Sequence, residues 1–119
     1  MTETTKLWAL RVIRALLTLA FGAAGIAKLA GAEMMVHTFD AVGLGQWFRY
    51  VTGLVELGAA VVLWVPGFTA WAAALLVCTM IGALIAHATV LGVDTAAPAA
   101  VLGILAAVVL YVNRAQIKA

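Results

Sequence analysis

Lys28, Arg49, Thr52, Glu56, Met80 and His87 are the residues whose chemistry the rest of the chain has to explain. Glu56 stands near the middle of RYVTGLVELGAAVVLWVP, residues 49–66, an apolar run long enough to cross a bilayer. An isolated carboxylate in hydrocarbon is costly, so the group calls for a charged partner or a strong donor. On a helix Arg49 precedes Glu56 by two turns and Thr52 falls between them, which places all three on one stripe. Two chemistries suit such a stripe. Glu56 serves as an acid or base on a substrate held in the membrane, or it hydrogen-bonds the head group of a bound ligand.

The partners have to come from other segments. Lys28 and His87 each lie about one turn before the end of an apolar run that travels in the direction opposite to the one carrying Glu56. Glu56 itself is roughly 13 Å into its helix at 1.5 Å per residue. Lys28, Arg49, Glu56 and His87 are therefore expected at similar depth in the membrane. Plainer roles compete: Lys28 can snorkel to the head groups, Arg49 can anchor at the interface, and His87, on a face with Met80 and Ala83, can be a hydrogen-bonded interior residue. His37 and Asp40 are expected to be solvated loop residues. Metal binding draws no support, because His37, His87 and Glu56 include no helical i, i+4 ligand pair.

Composition sets the surroundings. Of 119 residues 66% are hydrophobic and 10% charged, which makes this an all-α integral membrane protein forming one domain over residues 1–119. The net charge of +2 comes with no basic cluster and no interleaved aromatics, so nucleic acid is excluded as a partner. The single cysteine, Cys78, rules out intrachain dithiol chemistry and is expected to be a small buried hydrophobe. No flavin, haem or iron–sulfur motif is present, and no covalent cofactor is expected.

Four apolar segments must position these residues: about 12–29, 47–65, 68–91 and 96–112, with an outer loop at 30–46. They lack period-2 alternation, which favours helices over barrel strands. Pro66-Gly67 predicts a tight turn that makes the second and third helices antiparallel neighbours. Pro98 belongs in the first turn of the fourth, with Asp94 or Thr95 as cap. Within the loop, Met34 to Phe39 is expected as a short amphipathic piece on the membrane surface. Lys6, Arg11 and Arg14 followed by an apolar stretch and Ala30-Gly31-Ala32 resemble a secretory signal. Three further apolar runs of the same kind favour a retained first helix.

An even number of crossings puts both termini on one side. Lys6, Arg11, Arg14, Arg114 and Lys118 lie there, against Lys28 and Arg49 opposite, which predicts cytoplasmic termini, an outward-facing 30–46 loop and an up-down four-helix bundle. Trp8, Trp47, Trp64 and Trp71 fall near helix ends, as interfacial anchors do. Gly22, Gly25, Gly53, Gly58 and Gly82 are expected to let the helices approach closely.

FGAAGIAKL in the first helix, WFRYVTGLVELGAAVVLW in the second and TMIGALIAH in the third, followed by an apolar fourth, resemble the DoxX-like family of small four-helix membrane proteins over about residues 10 to 113. By resemblance, that family includes a subunit linked to thiosulfate oxidation with quinone as acceptor, members of redox-stress complexes, and animal relatives that assist membrane-protein assembly. The resemblance implies a multi-pass protein of the bacterial inner membrane with functional polar positions at Lys28, Glu56 and His87. Three functions follow. The first is binding of a quinone or other amphipathic lipid by Lys28, Arg49, Thr52, Glu56, Met80 and His87, in a subunit that serves a redox partner protein. The second is a structural or assembly role, as a homo-oligomer or beside another protein, with Lys28 and Glu56 as an internal staple. The third is an isomerase- or cyclase-type enzyme with Glu56 as acid or base on an isoprenoid-like substrate.

Overall fold

The computed structural model describes residues 2–118, all of whose regular elements are helical. α1 (Glu3–Ala30) begins nine residues before the expected start at 12. Its N-terminus is set by capping: the Thr2 hydroxyl accepts from the Thr5 amide at 3.1 Å, and Glu3 sits in the first turn, where the helix dipole favours it. The hydrophobic pattern begins later than the helix does. At the other end Gly31 takes a left-handed conformation, φ 75°, and the Ala32 amide donates back to the Ala27 carbonyl.

The 30–46 segment is mostly α2 (Glu33–Val42), closed by Gly43 at φ 84°. α3 (Gln46–Val62) ends three residues short of the expected 65, because Pro66 disfavours helical geometry in the residue before it. The turn that follows is the one Pro66-Gly67 predicts, secured by the Thr69 hydroxyl donating to the Leu63 carbonyl at 3.0 Å. α4 (Thr69–Ala86) does not continue regularly to 91. Its last turn widens into a π-helical turn at His87–Leu91 that closes with the Gly92 amide on the His87 carbonyl. A single 3₁₀ turn, Val93–Thr95, leads into α5 (Ala97–Val112), whose first turn holds Pro98 as expected. Neither Asp94 nor Thr95 caps it. Ala96 occupies the cap position, and the Thr95 hydroxyl is taken up by His87 and the Gly92 carbonyl. α6 (Ala115–Lys118) is one short turn.

α1 runs antiparallel along α3, as its contacts fix: Gly25 meets Gly53, Lys28 meets Arg49, and Thr18 meets Trp64. α4 pairs with α5 in the same way, Met80 lying against Gly103 and the Ala70 amide donating to the Gln116 side chain. Between these pairs the core is built largely of small residues, with Leu17, Phe21, Leu63, Leu76, Met80 and Val109 as its large members. Large apolar side chains such as Leu19, Ile26, Val101 and Ile104 point outward, while Lys28, Arg49, Glu56 and Thr69 are buried. That distribution suits a lipid surround. Two stretches, Glu3–Ala30 and Thr69–Leu91, are long and apolar enough to cross a membrane, and α3 and α5 are shorter at 17 and 16 residues.

Of the five glycines expected at helix contacts, two are there. A Cβ on Gly25 would lie 2.8 Å from the Gly53 carbonyl oxygen and 2.9 Å from the Leu57 nitrogen, and one on Gly53 would lie 3.0 Å from Lys28 Cβ. Gly22, Gly58 and Gly82 have nothing within 4 Å of that position, so they leave open space rather than close a contact. All four tryptophans are exposed, with Trp64 and Trp71 flanking the α3–α4 turn. The Trp64 indole donates to the Thr18 hydroxyl at 2.7 Å and lies under the Arg14 guanidinium, 4.4 Å from the ring centre. Lys118, counted above among the basic residues of the terminal side, has its side chain outside the described residues.

Candidate functional site

The carboxylate of Glu56 meets the ammonium of Lys28 at 2.8 Å, and both side chains are buried, at 3% and 11% exposure. The Gly25–Gly53 contact sets this pair up. It brings α1 and α3 to backbone distance one turn away, so that a lysine and a glutamate on facing stripes reach each other without leaving the interior. No buried side-chain nitrogen or oxygen lacks a partner among the described residues.

Arg49 lies on the Glu56 stripe, yet it takes no part in that pair. Its guanidinium donates to the Lys28 backbone carbonyl and, at 2.7 Å, to the Gln46 side chain, with the Tyr50 ring 4.3 Å away. Gly31 packs beside the same guanidinium. Arg49 therefore ties the end of α1 to the start of α3 and holds Lys28 in place from the backbone side. Replacing it by lysine keeps the charge and loses the planar donor fork. Arg49→Lys is expected to lower stability by about 1–3 kcal/mol, because the Lys28 carbonyl keeps only its bond from the Gly31 amide and the Gln46 side chain loses its guanidinium donor. Thermal unfolding in detergent reads this, and an unchanged midpoint would remove Arg49 from the positioning role.

Lys28 and Glu56 form the polar floor of a cavity of about 620 Å³. Thr52, Met80 and His87 share its wall, so five of the six expected ligand residues border one space and Arg49 alone stands outside it. Phe21, Phe39 and Phe48 supply aromatic wall, and Leu102 of α5 closes the far side. Thr52 turns its hydroxyl back to the Phe48 carbonyl at 2.8 Å, leaving its oxygen free to accept. His87 stands where α4 gives way to the π turn. Its Nδ1 is 2.8 Å from the Thr95 hydroxyl, which fixes the ring by a partner eight residues on, across Gly92. Nothing in the spacing announces Thr95.

α2 lies otherwise than expected. Met35, Thr38, Phe39 and Val42 border the cavity, Phe39 is buried, and its ring lies 6.0 Å from that of Phe48. The segment turns its apolar face onto the protein and covers the end of the cavity. The spacing of Met35, Phe39 and Val42 at four and three residues carries that signal, since it makes one apolar stripe on a ten-residue helix. The opposite face carries Glu33, His37 and Asp40, all exposed, with Glu33 and His37 3.8 Å apart.

Cys78 is a further correction: it is exposed and borders the cavity. Along α4 the residues Leu75, Cys78, Gly82 and Ala86 face the gap to α3, while Ala72, Leu76 and Met80 face the core. The thiol falls on the first face, three residues from Leu75 and four from Gly82, and so borders the cavity.

Chemically, the site offers an ammonium, a carboxylate, an imidazole and hydroxyls at one end of an apolar, partly aromatic chamber. It can orient a molecule with a small polar end and a hydrocarbon body. The profile of the DoxX-like family matches residues 12–109, a stretch that contains all of these positions. No curated protein and no solved structure gives a significant match.

Proposed function

Because the chain belongs to the DoxX-like family and carries two helices long and apolar enough to cross a bilayer, it is a membrane protein, and we propose that it binds an uncharged amphipathic lipid, a quinone above all, in the cavity above Lys28 and Glu56. The observation that carries this reading is the buried ion pair at the floor of an otherwise apolar chamber. Lys28 and Glu56 already balance each other, so a charged ligand would leave a net charge in hydrocarbon, whereas a neutral carbonyl or hydroxyl only adds a hydrogen bond. Ring carbonyls of a quinone would accept from the Lys28 ammonium or from His87. Phe21, Phe48 and Met80 would pack on the ring.

The proposal extends to the arrangement in the membrane, which the same residues support. α1, α3, α4 and α5 cross the bacterial inner membrane as an up-down four-helix bundle, and α2 lies across its outer end. Lys28 and Arg49 are both buried in internal contacts, so the α2 end presents no exposed lysine or arginine among the described residues. Lys6, Arg11 and Arg114 are exposed toward the terminal end, which supports cytoplasmic termini. The chain supplies no redox group, so a quinone bound here would exchange electrons with a partner protein, and the protein acts as a subunit of a redox-linked membrane complex.

A role in structure or assembly is the second reading. It is favoured by the ion pair being complete without a ligand. Mass spectrometry of the protein released from its membrane separates the two: a neutral amphipath bound one to one supports the first reading, and its absence supports the second.

A further inference from the structure

A second, smaller cavity of about 290 Å³ lies further along the same two helices, toward the α3–α4 turn. Leu54, Gly58 and Val62 of α3 line one wall, and Trp71 and Leu75 of α4 line the other. Val55 and Leu75 border both cavities, so the two are consecutive parts of one crevice between α3 and α4. Their chemistry differs. The cavity over Lys28 and Glu56 has its polar groups toward α2, while the second is lined by apolar side chains and has no ionisable group in its wall. Gly58 keeps it open, since nothing lies within 4 Å of where its Cβ would be.

We infer that the second cavity is the tail subsite of the lipid whose head group rests on Lys28 and Glu56: the hydrocarbon chain leaves past Val55 and Leu75 and runs along Gly58 toward Trp71. This rests on the proposed head-group site and adds the direction and class of what binds there. The occupant is a single molecule with a compact uncharged head and an unbranched or isoprenoid chain, lying along the helices with its tail toward the tryptophans at the α3–α4 turn. From Glu56 to Val62 the path along α3 covers roughly 9 Å. A head group without a tail would leave the second cavity to a stray acyl chain. A tail that turned toward α2 would meet Phe39 and the polar groups around His87.

The test uses the full chain in phospholipid nanodiscs and two benzoquinone probes with alkyl tails. One carries a photoactivatable diazirine beside the ring and the other carries it roughly 9 Å along the tail. Adducts are mapped by mass spectrometry, with a diazirine-bearing phosphatidylcholine reporting the bulk lipid. The ring probe is expected to mark the surroundings of Phe48 and Met80, and the tail probe Leu54, Val62 and Trp71. In Gly58→Phe, tail adducts at the second cavity should fall about tenfold, equivalent to roughly 1.4 kcal/mol of lost packing, while ring adducts persist. Leu54→Trp serves the same purpose if Gly58→Phe does not fold. Ring adducts in the cavity with tail adducts spread over Leu19, Val101 and Ile104, in the phosphatidylcholine pattern, would overturn the tail subsite and leave the head-group site standing. Absence of ring adducts from the cavity would overturn both.

Discussion

Lys28→Met alone, or Glu56→Gln alone, is expected to destabilise the protein by about 3–5 kcal/mol, and the double replacement to restore most of that loss. The asymmetry follows from the burial of both side chains around a 2.8 Å contact. Removing one partner leaves a buried charge whose remaining neighbours are apolar or already engaged. Removing both leaves a methionine and a neutral amide of similar volume, and the methionine is at ease in an irregular apolar site. A four-membered cycle of thermal unfolding in detergent measures the coupling directly. Additive effects of the two single changes would mean that the pair does not act as a unit. The cycle also separates the readings of function, since the double variant should fold but lose the ligand's polar anchor. An assembly role that needs only the staple would survive it.

The second large effect is expected at Gly25. A side chain there would collide with the Gly53 carbonyl and the Leu57 amide, and both are backbone within helices that cannot retreat without parting α1 from α3. Gly25→Leu is expected to cost at least the 1–3 kcal/mol typical of overpacking and to break the Lys28–Glu56 contact one turn away. A Cβ at Gly22 or Gly82 meets no atom within 4 Å, so Gly22→Ala and Gly82→Ala should not lower stability. The comparison is read by unfolding midpoints and by the yield of folded protein. If all three variants behaved alike, close approach would not be what Gly25 provides.

Those glycines show where the sequence stops being informative. Composition alone assigns Gly22, Gly25, Gly53, Gly58 and Gly82 the same role, yet of these only Gly25 and Gly53 sit on a helix contact, while Gly103, outside that set, lies against Met80. The difference is rotational: it depends on which face of α1 meets α3, and the small residues around them do not specify that face. Lys28 and Glu56 were legible because an ionisable group in hydrocarbon has few ways to exist, and depth counted along two antiparallel helices leaves few partners. Arg49 shares the Glu56 stripe and would have been an equal partner by that count. Its longer side chain instead reaches the carbonyl of Lys28 in the last turn of α1, a backbone acceptor that sequence patterns do not display.

The boundaries tell a similar story. Apolar windows place the segments but miss what caps them, so α1 reaches back to Glu3 through Thr2, and α4 loses its regular geometry at His87. The π turn matters for the site, because it brings Thr95 back to hold the imidazole. α2 was visible as an amphipathic piece. Its destination was not, since an apolar stripe of Met35, Phe39 and Val42 suits a lipid surface and a protein cavity equally well. Only the position of α3 and the π turn beside it decides between them.

Native mass spectrometry of the protein extracted gently from its membrane shows whether the chamber over the Lys28–Glu56 pair holds the proposed lipid. One uncharged amphipathic molecule per chain is expected, retained by the parent protein and missing from a folded Lys28→Met, Glu56→Gln double variant. Bulk phospholipid alone on the parent, or the same neutral molecule retained equally by both proteins, would contradict it.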